Sequence, residues 1–322
     1  MAERRLETVV VAVPLTEGHL ARLRERFPDV RFVVADERPA PDELRDADAV
    51  VAWRLDAEQA AGAPRLRWWQ TGGAGVERMP LRELAARDVT ITNNSGVAAP
   101  NIAEHLLAMM LAFARGVPAL VRAQAERRWK DEAARDRVFE LGGQTLLLVG
   151  LGEIGLATAA RAKPFGMRVV GARRTEGDPP PGIDEVVPMA RLDEALGRAD
   201  HVAISLPLTE RTRGLFDAGR FAAIKPGAHL YNVGRGGTVE TAALVAALES
   251  GRLAGAGLDV TDPEPLPADS PLWGMPNVLI TAHTSGATPR YWDRGVEVLE
   301  ENIRRYLAGE ELLNAVDAGE GY

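Results

Sequence analysis

The chain has 322 residues, 46% hydrophobic and 26% charged, which is ordinary for a globular protein with room for two domains. A formal net charge of −8 argues against general nucleic-acid binding, which needs a basic surface. With no cysteine, disulfides, thiolate catalysis and Cys-based zinc sites are excluded, and the five histidines are too scattered to suggest a metal centre.

The first residues are charged and contain no apolar leader core. No apolar run approaches the ~20 residues that a membrane helix needs. The expectation is a soluble, cytoplasmic protein.

Residues 8–13 read as a strand and 17–27 as a helix. Further strands are expected at 31–35, 49–53, 66–70 and 89–92, with helical stretches between them, the pattern of parallel strands joined by crossovers. In Trp68-Trp69 the two indoles point to opposite faces of a strand, so one is expected in the core and the other toward a cleft or solvent. Pro100 opens a long apolar helix from Asn101 to about Arg115. Ile102, Leu106, Met109, Met110 and Phe113 lie on one face of it. Pro118 marks a kink or break. His105 on that helix and His201 at a strand start read as structural, and His19 as a surface residue.

A second series of strands follows, at 144–149, 167–171, 201–205, 229–232, 255–260 and 278–281, with a loop at 178–182. The last helix, roughly 291–307, is expected to return to the first domain. The fold class is therefore α/β, with two Rossmann or flavodoxin-like, doubly wound parallel-sheet domains and a cleft between them. Residues 1–98 and 286–322 make up the first domain and 99–285 the second.

The strand at 144–149 runs into Gly150-Leu151-Gly152-Glu153-Ile154-Gly155 and then a good helix. In that context the glycines permit a tight turn, close approach to a pyrophosphate, and close helix–strand packing. The helix amino terminus offers free N–H groups to phosphate. After the next strand, where an acid would bind the ribose 2′-hydroxyl of NAD, stand Arg173, Arg174 and Thr175. Guanidinium groups clamp phosphate, so the expected cofactor is NADP(H), with NAD(H) possible.

Downstream, Arg235, Glu264 and His283 each lie in a Gly- or Pro-rich loop after a strand. Such loops gather over the ligand at the carboxyl ends of a parallel sheet. A lone loop histidine is more often a surface or core group. Beside an acid, a cation and a dinucleotide loop, it becomes a candidate general acid/base.

Taken in order, these islands resemble the D-isomer-specific 2-hydroxyacid dehydrogenase family, and most resemble its NADPH-dependent glyoxylate/hydroxypyruvate (2-ketoacid) reductases. The stretches 206–212, 224–228, 258–267 and 73–77 agree with it. The resemblance implies that His283 is the acid/base, Glu264 its hydrogen-bonded partner, and Arg235 the group that orients the substrate. The backbone of the Gly73–Val76 turn, with Ala74 and Gly75, would receive the substrate carboxylate. Cofactor contacts are implied at Gly150, Gly152, Glu153, Ile154 and Gly155, at Arg173, Arg174 and Thr175, and at Pro207, Thr212 and Val233. Asp259 matches a position beside the nicotinamide carboxamide.

The first domain would then bind substrate and the second the dinucleotide. A homodimer formed through residues 101–140, with Trp129 near the arm, is also implied. Three positions depart from the family pattern: Ala282 replaces the usual Pro, Gly234 an Ala or Ser, and Thr261 an aromatic residue. The expected reaction is NADP(H)-dependent reduction of a small 2-ketoacid to the D-2-hydroxyacid. NAD-dependent oxidation of a D-2-hydroxyacid or phosphite stays open, as does a nucleotide-sensing, corepressor-like scaffold. Trp53, Arg54 and Trp292 are candidates for lining a substrate pocket, though core packing is the stronger account of them.

Overall fold

Val9, Val10 and Val11 are consecutive, so they face both sides of a strand, and all three are completely buried. A strand of that kind needs cover on both faces, as in a parallel α/β sheet. The computed structural model has this arrangement twice; residues 5–76, 79–129, 138–175, 177–317 and 319 are described. The chain divides into one compact unit of Met1–Val97 with Thr288–Tyr322, and another of Ala98–Ala287.

The first unit holds β1 (Thr8–Ala12), β2 (Arg31–Val34), β3 (Ala49–Ala52), β4 (Trp68–Thr71) and β5 (Thr90–Thr92). All pair in parallel, in the order β2-β1-β3-β4-β5, which is the flavodoxin-like order. The helix Tyr291–Ala308 buries Val296, Leu299, Ile303 and Tyr306 in the same cluster as Trp68, whose ring stacks on Tyr306 at 5.8 Å. Trp69 packs on the other face with Leu44, Leu84 and Ile91. Both indoles are fully buried, so the expectation that one looks outward is corrected: helices cover both faces. Each buried indole N–H finds an acceptor, Trp68 in Thr92 Oγ1 at 2.8 Å and Trp69 in the Ala52 carbonyl at 3.1 Å. His19 does more than sit at the surface. With Thr16 it forms a reciprocal cap on the helix Glu17–Arg26.

The second unit holds β6 (Thr145–Val149), β7 (Arg168–Arg173), β8 (Glu185–Pro188), β9 (His201–Ile204), β10 (Ala228–Asn232), β11 (Leu253–Leu258) and β12 (Val278–Ile280). The order is β12-β11-β10-β9-β6-β7-β8, all parallel. Counted from β6, this is the dinucleotide-binding order with one further strand at an edge. The sequence reading missed β8, a short edge strand that is mostly half-exposed and so has a weak apolar signature.

The helix Ala99–Ala114 packs on the helix Glu153–Ala162 and buries Leu106, Met109 and Met110. The break expected at Pro118 falls at Gly116, in the left-handed region at φ +66°, and Pro118 opens the next helix, Val117–Ala125. Among the described residues no single helix is long and apolar enough to cross a membrane.

Candidate active site

β10, β11 and β12 are parallel neighbours, so their carboxyl ends open on one edge of the second unit. Arg235 follows β10, Asp259 and Glu264 follow β11, and His283 follows β12. Strand pairing alone therefore collects the charged residues singled out in the sequence.

His283 Nδ1 donates to Glu264 Oε1 at 2.6 Å. The side chains are 50% and 40% exposed, so the pair lies at the surface of its unit. His283 Nε2 has no protein partner among the described residues. The Glu264 loop is pinned by Thr241 Oγ1 donating to the Asp262 carbonyl at 2.7 Å and Thr261 Oγ1 to the Pro263 carbonyl at 2.9 Å.

The Arg235 loop is fixed from inside. Its carbonyl accepts from Asn232 Nδ2 at 3.0 Å and Thr238 Oγ1 at 2.7 Å. A Cβ on Gly234 would lie 2.6 Å from the Leu206 carbonyl oxygen, and one on Gly236 would collide with the Thr261 carbonyl. Gly234 in place of Ala or Ser thus has a cause: the loop lies directly on the backbone after β9. Arg235 itself bonds the Gly234 carbonyl through Nη1 at 2.9 Å.

Asp259 is 3% exposed. Its carboxylate faces the histidine loop. Oδ1 accepts from Thr281 Oγ1, Thr284 N and Ser285 N at 2.7, 2.9 and 3.1 Å, and Oδ2 accepts from Ser285 Oγ at 2.5 Å. The resemblance places this side chain at the nicotinamide carboxamide, yet here its oxygens are occupied by the loop. Ala282 and His283 both have positive φ, +47° and +58°. A Pro ring fixes φ near −65°, so Pro could not stand at Ala282 in this conformation.

The glycine loop follows β6 as expected. Gly150 has φ +108°, and a Cβ on Gly155 would collide with the Gly150 carbonyl, so both positions need the missing side chain. A Cβ on Gly152 would meet nothing within 4 Å, which leaves open space in front of the first turn of the helix Glu153–Ala162. The Glu153, Ile154 and Gly155 amides are the ones a helix start leaves without an intrahelical acceptor. The donor set and the open space fit a dinucleotide pyrophosphate.

Arg173 ends β7. Its Nε donates to the Thr175 carbonyl at 2.9 Å and its Nη2 to the Asp178 carbonyl at 3.4 Å. Two of its five N–H groups hold the loop in shape, and three have no acceptor among the described residues. After β9, the Thr212 hydroxyl donates to the Pro207 carbonyl at 2.7 Å and closes that turn. Val233 is buried directly after β10.

In the first unit the turn after β4 is organised by its carbonyl groups. Gly72 O accepts from Asn94 Nδ2 and the Tyr291 hydroxyl, Gly73 O from the Asn94 amide and the Thr71 hydroxyl, and Ala74 O from Asn93 Nδ2. Among the described residues the Ala74 and Gly75 amides have no acceptor, the state of an anion-binding turn. Glu77, part of the matching stretch, lies outside the described residues. Trp53 leans on Gly72 and meets Tyr291 and Trp292 ring to ring at 6.1 and 5.5 Å, which is the packing account of the two tryptophans.

Sequence reasoning missed the supports of both loops. Thr281, Thr284 and Ser285 were visible as hydroxyl residues around His283. Asn93, Asn94 and Tyr291 had no local signal.

The D-isomer specific 2-hydroxyacid dehydrogenase, NAD binding domain, profile matches residues 107–285. The chain is 35% identical over 323 residues to D-3-phosphoglycerate dehydrogenase of Mycobacterium tuberculosis, covering 98% of this chain and 60% of that protein. It thus spans about 60% of the length of that relative. It is 34% identical to glyoxylate reductase of Korarchaeum cryptofilum, covering 96% of this chain and 95% of the relative. A D-isomer specific 2-hydroxyacid dehydrogenase from Xanthobacter autotrophicus, solved in complex with NADPH and MES, superposes with a TM-score of 0.82. That structure is 32% identical, with 99% of this chain and 100% of the other covered. The chain belongs to the D-isomer specific 2-hydroxyacid dehydrogenase family.

Proposed function

We propose that the protein is an NADP(H)-dependent reductase that converts a small 2-ketoacid of the glyoxylate/hydroxypyruvate class to the D-2-hydroxyacid. The observation that carries this reading is the 2.6 Å bond from His283 Nδ1 to Glu264 Oε1. With Nδ1–H held by a carboxylate, the opposite nitrogen is the one that delivers a proton to a carbonyl oxygen and takes it back in the reverse direction. Arg235 offers a planar fork of donors suited to the two oxygens of a ketoacid. The Ala74 and Gly75 amides are assigned to the substrate carboxylate.

When bound, the nicotinamide supplies the hydride. Gly150, Gly152 and the amides of Glu153, Ile154 and Gly155 hold the pyrophosphate in this reading. Arg173, Arg174 and Thr175 hold the 2′-phosphate, while Pro207, Thr212 and Val233 border the dinucleotide. The three N–H groups left on Arg173 support the phosphate assignment, as does the NADPH in the Xanthobacter autotrophicus structure.

The mycobacterial relatives, named D-3-phosphoglycerate dehydrogenase, favour a second reading, oxidation of a D-2-hydroxyacid, for which the family's NAD binding domain suggests NAD as oxidant. That cofactor suits an acid after β7, where this chain has Arg173. We also propose a homodimer through residues 101–140. Val117, Leu120 and Val121 are exposed on one helix and Trp129 is 98% exposed, which supports it; residues 130–137 lie outside the described residues. Light scattering that returned the single-chain mass would reject the dimer.

The deciding measurement is loss of NADPH or NADH absorbance with a panel of 2-ketoacids. A higher kcat/KM with NADPH is expected. Equal values, or an NADH advantage, reject the cofactor assignment. Tight cofactor binding without turnover of any 2-ketoacid rejects the reductase.

A further inference from the structure

The Thr281 hydroxyl has one proton, and its neighbours settle where that proton goes. Oγ1 lies 2.7 Å from Asp259 Oδ1, a carboxylate oxygen that only accepts. The same Oγ1 lies 2.9 Å from His105 Nε2. Because the hydroxyl proton is committed to Asp259, the imidazole must be the donor in the second bond, which places a proton on Nε2 of His105. The chain of donors runs one way, from His105 through Thr281 to Asp259.

Asp259 is where the histidine loop is held. Its carboxylate takes Thr284 N, Ser285 N and Ser285 Oγ, and its backbone carbonyl takes His283 N at 2.6 Å. The loop needs this hold, since Ala282 and His283 are both in the left-handed region that residues bearing a Cβ disfavour. His105 lies on the helix Ala99–Ala114, remote in sequence, and its side chain is only 23% exposed.

We propose that His105 is a positioning residue: through the Thr281 hydroxyl it fixes the Asp259 carboxylate and so aims His283. This rests on the reading of His283 as the proton donor. Among the described residues His105 makes no hydrogen bond to His283 or Glu264. It acts as a strut, in the way outer partners of active-site groups fix orientation.

The test uses His105→Leu, Thr281→Val, the double variant and His105→Gln in the full chain. His105→Leu and Thr281→Val should each lower kcat for glyoxylate with NADPH about 10- to 100-fold, the range typical of lost outer-shell support. KM and the Kd for NADPH should stay within about threefold of the parent, because uniform binding is untouched. The double variant should be scarcely worse than either single, since both break one path. His105→Gln, whose Nε2 amide keeps a donor for Thr281, should recover most of kcat.

Hydrogen exchange gives a readout independent of turnover: the 283–285 amides should exchange faster in His105→Leu while the rest of the chain keeps its protection. Unchanged kcat and unchanged exchange in His105→Leu would overturn the proposal. So would a Gln variant no better than Leu at the same Tm. If the parent reduced no ketoacid, the functional reading would fall. The exchange rates would then decide the strut by themselves, faster exchange supporting it and unchanged exchange overturning it.

Discussion

His283 Nδ1 and Glu264 Oε1 lie 2.6 Å apart although they come from loops after two different strands. Positioned acid–base groups contribute about 10²–10⁴ in rate, so His283→Ala should lower kcat by that order and leave NADPH binding nearly intact. Glu264→Gln removes the charged acceptor but keeps the shape, and a smaller loss of about 10- to 100-fold is expected. Steady-state kinetics with cofactor titration checks both. Wild-type turnover in His283→Ala would refute the acid assignment.

Two glycines of the dinucleotide loop should respond to alanine in opposite ways. A Cβ on Gly155 runs into the Gly150 carbonyl, so Gly155→Ala should destabilise by ~1–3 kcal/mol, the usual cost of overpacking. A Cβ on Gly152 meets open space, so Gly152→Ala should keep the parent Tm and lose cofactor affinity. Thermal melts paired with NADPH titrations separate the two outcomes. Equal stability losses would contradict the geometry.

Arg173 is held over its own loop by bonds to the Thr175 and Asp178 carbonyls. Under the proposed assignment to the 2′-phosphate, removing it deletes a charge-assisted contact worth about 1.5–3 kcal/mol, so Arg173→Ala should raise the KM for NADPH roughly tenfold or more. The NADH value should move little. A parallel rise for both cofactors would show that the residue serves loop structure alone.

The doubly wound sheets were legible because parallel strands covered on both faces write themselves as short apolar runs, such as 8–12 and 145–149. Arg235, Glu264 and His283 were legible for a different reason. Each follows a strand, and strands in parallel register put the loops after them at one edge. Nothing local announced the hold on the His283 loop. His105 reads as one more residue of an apolar helix, and its contact with Thr281 spans 176 residues. The burial of both indoles, rather than one, was not read from the dipeptide itself, because it depends on helices from elsewhere in the chain covering each face of the sheet. The left-handed Ala282 and His283 could not be anticipated from two residues that ordinarily avoid that region.

The last prediction concerns acid stability. His201 and His229 stack at 5.6 Å near the amino ends of β9 and β10, with Phe139 against both and Phe113 against His229. His201 Nε2 donates to Gln144 Oε1 at 2.6 Å, and its Nδ1 accepts from the Tyr231 hydroxyl at 3.1 Å, the pattern of a neutral ring. Burial lowers His201 to about 3, with His229 beside it adding to the effect, and burial alone lowers His229 to about 4, both from an ordinary 6.5. In the unfolded chain both rings take up protons below about 6.5, and in the folded chain they do not until far lower pH. Their contribution is therefore complete above about pH 6.5 and is lost as pH falls toward about 4 for His229 and about 3 for His201, at roughly 1.4 kcal/mol per pH unit for each ring. Urea unfolding should give a lower midpoint at pH 5 than at pH 7.5. His229→Phe, which keeps an aromatic ring among Phe113 and Phe139, should flatten that decline by about half, since one of two equal linkage slopes is removed. An identical pH slope in parent and variant would show that His229 does not titrate on unfolding.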